Sequence, residues 1–179
     1  INNLSIVPIA LCTKLKHLSI TWCQLTDIYL IAKQLKKLER LNLSGCPITN
    51  PELLTCFVGL TVLEAPIGIK DHLKKIVSHC TKLQELTIGD VGMKLEHIKW
   101  FSKLTKLQKA YFFYSGKRPP AEILQPLTNL GSLRSLTSNL PVLDVFTTLM
   151  QLQHYRYYDK NTEKFGDFTA GSLNSLKKS

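Results

Sequence analysis

Long apolar runs are missing from this 179-residue sequence. No stretch approaches the roughly 18 consecutive apolar residues that a membrane-spanning helix needs. The first residues also lack the charged-then-apolar pattern of a secretory signal. We therefore expect no membrane span and no membrane partner, and the length suits one compact domain.

Catalytic motifs are also missing. The sequence has no phosphate-binding glycine loop, no nucleophile elbow, no H-E-x-x-H pair and no carboxylates paired on one helical face. The tripeptide Ser78 to Cys80 contains residue types that act as nucleophiles elsewhere. Cys80, however, falls at a position with the apolar pattern of a core, where a packing cysteine is the simpler interpretation. We expect neither an enzyme nor a bound cofactor.

Cysteine is scarce: there are five, an odd number, with no C-x-x-C pair. All five fall at positions of apolar pattern: Cys12, Cys23, Cys46, Cys56 and Cys80. This predicts buried free thiols in a reducing compartment, cytoplasmic or nuclear, rather than a disulfide framework. No metal site is expected, because no histidine shows ligand spacing to a cysteine.

A spaced pattern of leucines is present instead. From Leu38, apolar residues fall at offsets 0, 3, 5, 8 and 10 in LERLNLSGCPIT, which fits neither a regular strand nor a regular helix. The same spacing begins 23 residues earlier at Leu15, and looser copies follow. Together the units cover nearly the whole chain. Their anchor leucines are Leu15, Leu38, Leu60, Leu83, Leu107, Leu133 and Leu152.

This period and the L-x-x-L-x-L core are typical of leucine-rich repeats, in which each unit supplies one short parallel strand and one helix. The prediction is an α/β fold: a right-handed leucine-rich-repeat solenoid of about seven repeats, with a concave parallel β-sheet and convex helices. Residues 1–179 form one domain in this prediction, expected to be a fragment of a longer chain. Residues 161–179 are predicted to be a C-terminal cap and tail.

Cysteine at offset 8, as Cys23 and Cys46 in the units LSITWCQLT and LNLSGCPIT, resembles the cysteine-containing repeats of F-box leucine-rich-repeat proteins. That resemblance implies a substrate receptor of a cullin-type ubiquitin ligase. In that family the repeats hold the substrate while a separate helical segment binds the ligase core. Contact with Skp1-cullin machinery is therefore expected through a segment outside this chain.

The bend and helix of each unit also have recognisable signals. Cys46 is predicted to turn inward at the bend, where a small, slightly polar side chain meets backbone groups. Thr26 and Asp27 precede one apolar helical segment, and Asn50 and Pro51 precede the next, as N-cap and first-turn residues do.

Strand side chains at offsets 2, 4 and 6 should face outward, away from the inward leucines. In the early units these residues are small and mixed: His17, Ser19, Thr21, Arg40, Asn42, Ser44, Val62, Glu64, Pro66, Glu85, Thr87 and Gly89. The fifth and seventh units are different, and their residues are the predicted partner-binding site: Lys109, Tyr111, Phe113, His154, Arg156 and Tyr158. The alternative is that the later units are out of register and some of these rings pack inside. Trp22 would extend the same surface at the other end.

Lysine rows are the second feature of a chain with a formal net charge of +10. Four lysines stand directly before an anchor leucine: Lys14, Lys37, Lys82 and Lys106. Stacking would place them along one rim, as a possible site for phosphates or an acidic partner. A solvated edge that keeps the stack soluble is the competing interpretation.

The sequence therefore predicts a protein-protein recognition module with a protein partner on the concave face. One alternative is RNA binding, with the lysine rim on phosphates and the exposed aromatics on unpaired bases. Another is a structural scaffold. Two segments break the repeat: the polar loop 115–120, and the ending, whose Phe165, Phe168, Leu173 and Leu176 would cover the last repeat.

Overall fold

The computed structural model describes residues 2–114, 121–159, 161–169 and 171–172. The predicted loop 115–120 and the residues Leu173 and Leu176 of the predicted cap lie outside the described residues. Position 160 and the final 177–179 lie outside them as well.

One sheet runs through the described chain, with its strands in the order of the sequence. The strands are β1 (His17–Ser19), β2 (Arg40–Asn42), β3 (Val62–Glu64), β4 (Glu85–Met93), β5 (Lys109–Tyr114), β6 (Ser135–Ser138), β7 (His154–Asp159) and β8 (Lys164–Thr169). Each strand from β1 to β6 pairs in parallel with the next, and β8 returns antiparallel to β7.

Equivalent offsets pair with one another along the sheet. Leu41 pairs with Leu63, and in the later units Leu86 pairs with Ala110 and Leu136 with Tyr155. All of these stand at offset 3 from their anchor leucines. The predicted register therefore holds beyond Leu107, where the sequence spacing loosens, because the length variation is absorbed between the strands.

Backbone hydrogen bonds repeat with the units. The carbonyl of Lys16 accepts hydrogen bonds from the amides of Glu39 and Arg40, at 2.8 and 3.0 Å. The carbonyl at the same offset of each following unit receives two amides in the same way, up to Arg134 with Gln153 and His154. Backbone groups at the start of each strand are thereby satisfied within the stack.

Helical segments return the chain on one side of the sheet. The α-helices are α1 (Ile6–Ala10), α2 (Tyr29–Gln34), α3 (Leu73–His79), α4 (Leu95–Lys99), α5 (Gln125–Thr128) and α6 (Val142–Thr148), with 3₁₀ turns at Pro51–Cys56, Ile69–His72, Trp100–Lys103 and Ala121–Leu124. Their buried residues, such as Ile31, Leu54 and Ile76, join the strand leucines in one continuous core.

Asn50 does not cap the turn that follows it, contrary to the prediction. Its Oδ1 accepts a hydrogen bond from the amide of Ile28 at 3.2 Å, and its Nδ2 donates to Asp27 Oδ1 at 2.7 Å. The side chain therefore joins two units. Asp27 accepts from the amide of Tyr29 at 2.7 Å and so serves the start of α2 as expected.

The cysteines are less uniformly buried than predicted. Cys46 is fully buried and its thiol donates to the carbonyl of Ile20 at 3.3 Å, which confirms the inward bend. Cys80 is also fully buried, and burial raises the pKa of its thiol to about 12. Cys23 and Cys56 are half-buried, and Cys12 is exposed. Cys12 follows α1 at the first unit, where no earlier described unit packs over it.

Candidate protein-binding surface

Alternate strand side chains point away from the core, on the side of the sheet that we call the open face. It comprises offsets 2, 4 and 6 of each unit, together with residues 165, 167 and 169 of β8. In β5 the residues Ala110 and Phe112 are buried, whereas Lys109, Tyr111 and Phe113 are not. The rings that the sequence assigned to the outward side therefore lie there.

Four rings on the open face form a continuous group, which we call the aromatic cluster: Tyr111, Phe113, Tyr158 and Phe165. Ring centroids are 5.0 Å apart for Tyr111 and Phe113, 5.2 Å for Phe113 and Tyr158, and 5.0 Å for Tyr158 and Phe165. The interplanar angles of 47° to 74° are those of tilted or edge contacts. Burial raises the pKa of the Tyr111 phenol, and Tyr158 adds to the shift.

Phe113 and Tyr158 meet although β6 lies between their strands. At the corresponding place Asn139 directly follows β6, and its side chain turns to the backbone of β5. Its Oδ1 accepts from the amide of Tyr114 at 2.7 Å, and its Nδ2 donates to the carbonyl of Tyr114 at 3.0 Å. Asn139 thus extends the pairing of β5 and leaves space above β6 for the two rings.

The strands β5 and β7, which carry rings of the cluster, each also carry a ring that is buried in the core. Phe112 is fully buried and packs edge-on against Phe101, with centroids 5.3 Å apart. Tyr155 is almost fully buried, and its hydroxyl donates to the carbonyl of Leu140 and lies 3.0 Å from Ser138 Oγ. Burial raises the pKa of Tyr155 well above its usual range. The strands that carry the cluster are therefore fixed in position.

The two predicted cations of the site are already paired within the molecule. Lys109 Nζ is 3.1 Å from Glu85 Oε1, and Arg156 Nε donates to Asp167 Oδ1 at 2.7 Å. Arg156 also lies over the Phe165 ring, 5.8 Å from its centroid. All four charged side chains are at least one-third exposed, so solvent screens these pairs and a partner can compete for them.

His154, the remaining predicted residue, is exposed and does not touch the aromatic cluster in the ring contacts described. It lines a depression of about 440 Å³ with Thr137, Arg156, Asp167 and Thr169. The structure thus places this polar depression beside the cluster rather than within it.

The first half of the open face is polar and shallow. His17, Ser19 and Arg40 are exposed as predicted. Val62 and Pro66 are buried, contrary to the prediction that their side chains are accessible. Val62 pairs with Arg40 on one side and with Glu85 on the other. The longer side chains of these two residues lie on the same face and leave little of the Val62 side chain accessible.

The lysines of the predicted rim, Lys14, Lys37, Lys82 and Lys106, are all exposed. Each is in the turn that leads into an anchor leucine, as Leu38 shows by donating to the carbonyl of Leu35 at 3.3 Å. The row is interrupted at the third unit by Gly59. Tyr111 stands five residues after Lys106, so at an extended rise of roughly 3.3 Å per residue their Cα atoms are up to about 16 Å apart.

Trp22 is 82% exposed and lies at the bend of the first unit. No ring of the aromatic cluster contacts it in the described structure. It therefore does not extend the cluster. Its indole ring lies against Gly45 of the next unit instead.

Three residues contribute to this surface although the sequence pattern did not predict it: Asn139, Phe165 and Asp167. Phe165 and Asp167 were assigned to a covering cap, whereas β8 brings them onto the open face opposite Tyr158 and Arg156. No period-2 pattern announced this strand, because Phe165 and Phe168 are three residues apart and face opposite sides of β8. Asn139 stands at offset 6 of an irregular unit, where nothing in the pattern distinguishes a backbone-binding amide.

Two further kinds of feature are absent from the described residues. No helix there combines the length and apolar character needed to cross a bilayer. No group of three or more His, Cys, Asp and Glu side chains in that part of the chain is placed to hold a metal ion.

The in-register parallel strands, the returning helices and the shared core are those of a leucine-rich-repeat fold. A family model described as Leucine Rich repeat matches residues 11–28 and 34–51. No curated protein matches the chain significantly.

Solved structures support the same fold. An internalin (inlF) from Listeria monocytogenes is 21% identical with a TM-score of 0.55, over 81% of this chain and 48% of the internalin. Internalin C2 from the same organism is 20% identical with a TM-score of 0.53, over 80% of this chain and 71% of its own. The chain thus spans about half of the first internalin, and the likeness concerns the fold.

Proposed function

We propose that this chain is a protein-recognition module whose partner binds the open face, with the aromatic cluster as the anchor. The observation that carries the proposal is that Tyr111, Phe113 and Tyr158 contact one another on the open face while remaining partly accessible to solvent. Aromatic residues dominate binding hot spots, and contiguous exposed apolar patches on soluble domains mark interaction sites.

Charge on the open face favours a balanced rather than a strongly acidic partner. Glu85 and Asp167 lie beside Lys109 and Arg156, so each cation of the proposed site has a carboxylate next to it. Affinity would come from desolvation of the rings, while the pairs at the edges fix orientation. The proposed role is not enzymatic, and it needs no cofactor.

The experiment compares Phe113→Ala with a matched control, Tyr29→Ala. Tyr29 is an exposed aromatic residue on α2, away from the open face. Proteins retained by the full-length protein after nuclease treatment are quantified by mass spectrometry, and the partner is then titrated. Loss of a hot-spot ring should weaken binding by roughly 30-fold, which corresponds to about 2 kcal/mol. Equal retention of partner proteins by both variants would contradict the proposal that the aromatic cluster is the anchor.

A finer proposal is that the chain is the substrate-binding repeat region of a cullin-type ubiquitin ligase receptor, acting in the cytoplasm or nucleus. It draws on the cysteine-containing units at Cys23 and Cys46, in a right-handed solenoid of about seven repeats. Contact with a Skp1-like adaptor would then lie outside this chain. Recovery of that adaptor and a cullin with the full-length protein would support the proposal, and their consistent absence would count against it.

RNA binding and a structural scaffold are the competing proposals. RNA binding has one favourable observation, the exposed lysine rim. Against it, the rings of the aromatic cluster pack on each other and lie away from the rim, so bases and phosphates would have to be engaged at separate places. Salt separates the proposals: phosphate contacts weaken steeply as salt rises, whereas an aromatic anchor changes little. A scaffold predicts no effect of Phe113→Ala on retained proteins.

A further inference from the structure

A second surface is formed by the turns that lead into the strands. In each unit the amide of the anchor leucine donates to a carbonyl three residues earlier, and the two residues between them protrude. We call these pairs the turn tips. They are Thr13 and Lys14, Lys36 and Lys37, Val58 and Gly59, Thr81 and Lys82, Thr105 and Lys106, Gly131 and Ser132, and Met150 and Gln151.

The turn tips carry cations and no carboxylate. Their lysines, all exposed, are Lys14, Lys36, Lys37, Lys82 and Lys106. At the position after the anchor leucine, Lys16 and Arg134 add charge, and Glu39 is engaged by Lys16 at 2.8 Å. Neighbouring strands lie about 4.8 Å apart, so these cations form a track across the N-terminal ends of the strands. We call this side of the sheet the turn-tip edge.

The opposite edge of the sheet has a different character. Among the described residues, its loops and first helical turns carry more carboxylates than cations. The carboxylates are Asp27, Glu52, Asp71, Glu96, Glu122, Asp144, Asp159 and Glu163, and the cations are Lys70, Lys94 and Lys164. In the part of the chain that the structure describes, the turn-tip edge therefore carries an excess of positive charge and the opposite edge does not. Such an asymmetry orients a protein toward an anionic surface before contact.

Two turn tips are apolar and protrude. Val58 is 57% exposed and Met150 is 87% exposed, although the turns on either side of Val58 end in lysine. Core packing does not account for these side chains, because they point away from the core that their neighbours Phe57 and Leu149 fill. Lysines interleaved with protruding apolar residues are the combination that interfacial membrane binding uses.

We propose that the turn-tip edge docks on an anionic lipid bilayer. The lysines would neutralise lipid headgroups, and Val58 and Met150 would enter the boundary between headgroups and acyl chains. The N-terminal ends of the strands would then face the membrane and the plane of the sheet would be upright on it. This orientation leaves the open face accessible to a protein partner. The expectation of no membrane partner considered spanning segments, and peripheral docking needs none.

A nucleic acid fits the same edge less well. The turn tips contain no arginine and no aromatic residue, so stacking is missing. Bidentate phosphate contacts are limited to the adjacent Arg134, whose guanidinium already donates to the carbonyls of Gly131 and Leu133. Val58 and Gly59 also break the cationic track in its first half. An apolar tip adds nothing to a phosphate contact, whereas it adds to burial in a bilayer.

The first test is co-sedimentation of the full chain with phosphatidylcholine vesicles that contain about 30% phosphatidylserine. Lys37→Gln with Lys82→Gln removes two turn-tip charges. Lys74→Gln with Lys164→Gln removes two exposed charges elsewhere and keeps the same net charge. Each lysine near the surface contributes roughly fivefold, so the first variant should lose about 25-fold in partitioning. Equal losses in both variants would reduce the effect to net charge and overturn the proposal.

The second test separates a bilayer from other polyanions. Val58→Ser with Met150→Ser keeps every charge and should lose roughly tenfold in vesicle binding. Ile67→Ser, at a residue 53% exposed in the loop that follows β3, is the control and should bind like the unaltered chain. Circular dichroism verifies that each variant is folded.

Two outcomes would contradict the proposal. One is that Val58→Ser with Met150→Ser binds vesicles as well as the unaltered chain does. The other is that a single-stranded RNA oligonucleotide binds more tightly than vesicles, with affinity lost in Lys37→Gln with Lys82→Gln but kept in the serine variant. The second result would assign the turn-tip edge to nucleic acid. Neither result bears on the open face, whose test uses Phe113→Ala.

Discussion

Trp22 lies over Gly45 so closely that a Cβ at residue 45 would be 2.5 Å from the ring atom Cδ2 of the tryptophan. The two residues stand at offset 7 of consecutive units, and both have left-handed backbone, with φ of 52° and 73°. The bend after the strand requires this conformation, which glycine adopts without strain and tryptophan does not. Contact with Gly45 explains why an exposed ring has a defined place.

Gly45→Ala should destabilise the protein by roughly 1 to 3 kcal/mol, because it adds backbone strain and forces the indole to move. Gly89→Ala is the matched control, since nothing lies within 4 Å of its added Cβ and its φ is ordinary. Urea unfolding measures both. With Trp22→Ala in the background, the cost of Gly45→Ala should shrink to the backbone contribution. An unchanged cost would mean that the ring does not rest on Gly45.

Leu41→Ala should lower the free energy of unfolding by roughly 2 to 5 kcal/mol, because Leu41 is 1% exposed and pairs with Leu18 and Leu63 inside the stack. Its neighbour Arg40 is exposed on the open face, so Arg40→Ala should change stability by no more than about 0.5 kcal/mol. Chemical denaturation compares the two. Similar effects would contradict the assignment of inward and outward offsets.

Asn139→Ala should cost roughly 1 to 3 kcal/mol, because both backbone groups of Tyr114 lose the partners that the amide supplies. It should also weaken partner binding, since Phe113 directly precedes Tyr114 at the end of β5. Thr137→Ala, two residues earlier on the open face, provides the comparison and should have a small effect on stability. Unfolding curves and the titration of the retained partner report the two effects separately.

Stability should fall as the pH drops below the ordinary histidine pKa of 6.5, through His97. Burial lowers the pKa of His97, against the opposing effects of Glu96 and Asp71, and its Nδ1 accepts the amide of Lys94 at 3.1 Å. The neutral ring is therefore favoured in the folded protein, while the unfolded chain takes up the proton first, so acid favours unfolding.

The check is urea unfolding of the unaltered protein and of His97→Gln between about pH 7.5 and 5. Glutamine does not titrate, so the variant should show the shallower dependence on pH. Parallel curves for the two proteins would assign the acid sensitivity to other groups.

Much of the fold was predictable because the spacing of apolar residues within each unit determines which side chains face the core. The anchor leucines and the residues at offset 3 are buried or inward, and their pairing follows the predicted register even where the intervals vary from 19 to 26 residues. The helix-start signals were less informative. Asn50 has the sequence context of a cap, but its amide binds the preceding unit, because stacking offers it the amide of Ile28.

The candidate site was predictable in part, for the same reason. The outward position of Tyr111 and Phe113 follows from the alternation of strand side chains. Their contact with Tyr158 does not follow, because it depends on Asn139 turning to the backbone of β5. Nor does sequence show that Lys109 and Arg156 already have carboxylate neighbours.

The sequence by itself determined the repeat, the alternation of buried and accessible strand residues, and the lysines before the anchor leucines, since each depends on spacing within one unit. Only the tertiary structure decided which units touch beyond their neighbours, that β8 completes the aromatic cluster with Phe165, and that the side chains of Val58 and Met150 protrude. The physical reason is that spacing along a chain fixes the direction of a side chain, whereas contact depends on how separate units stack.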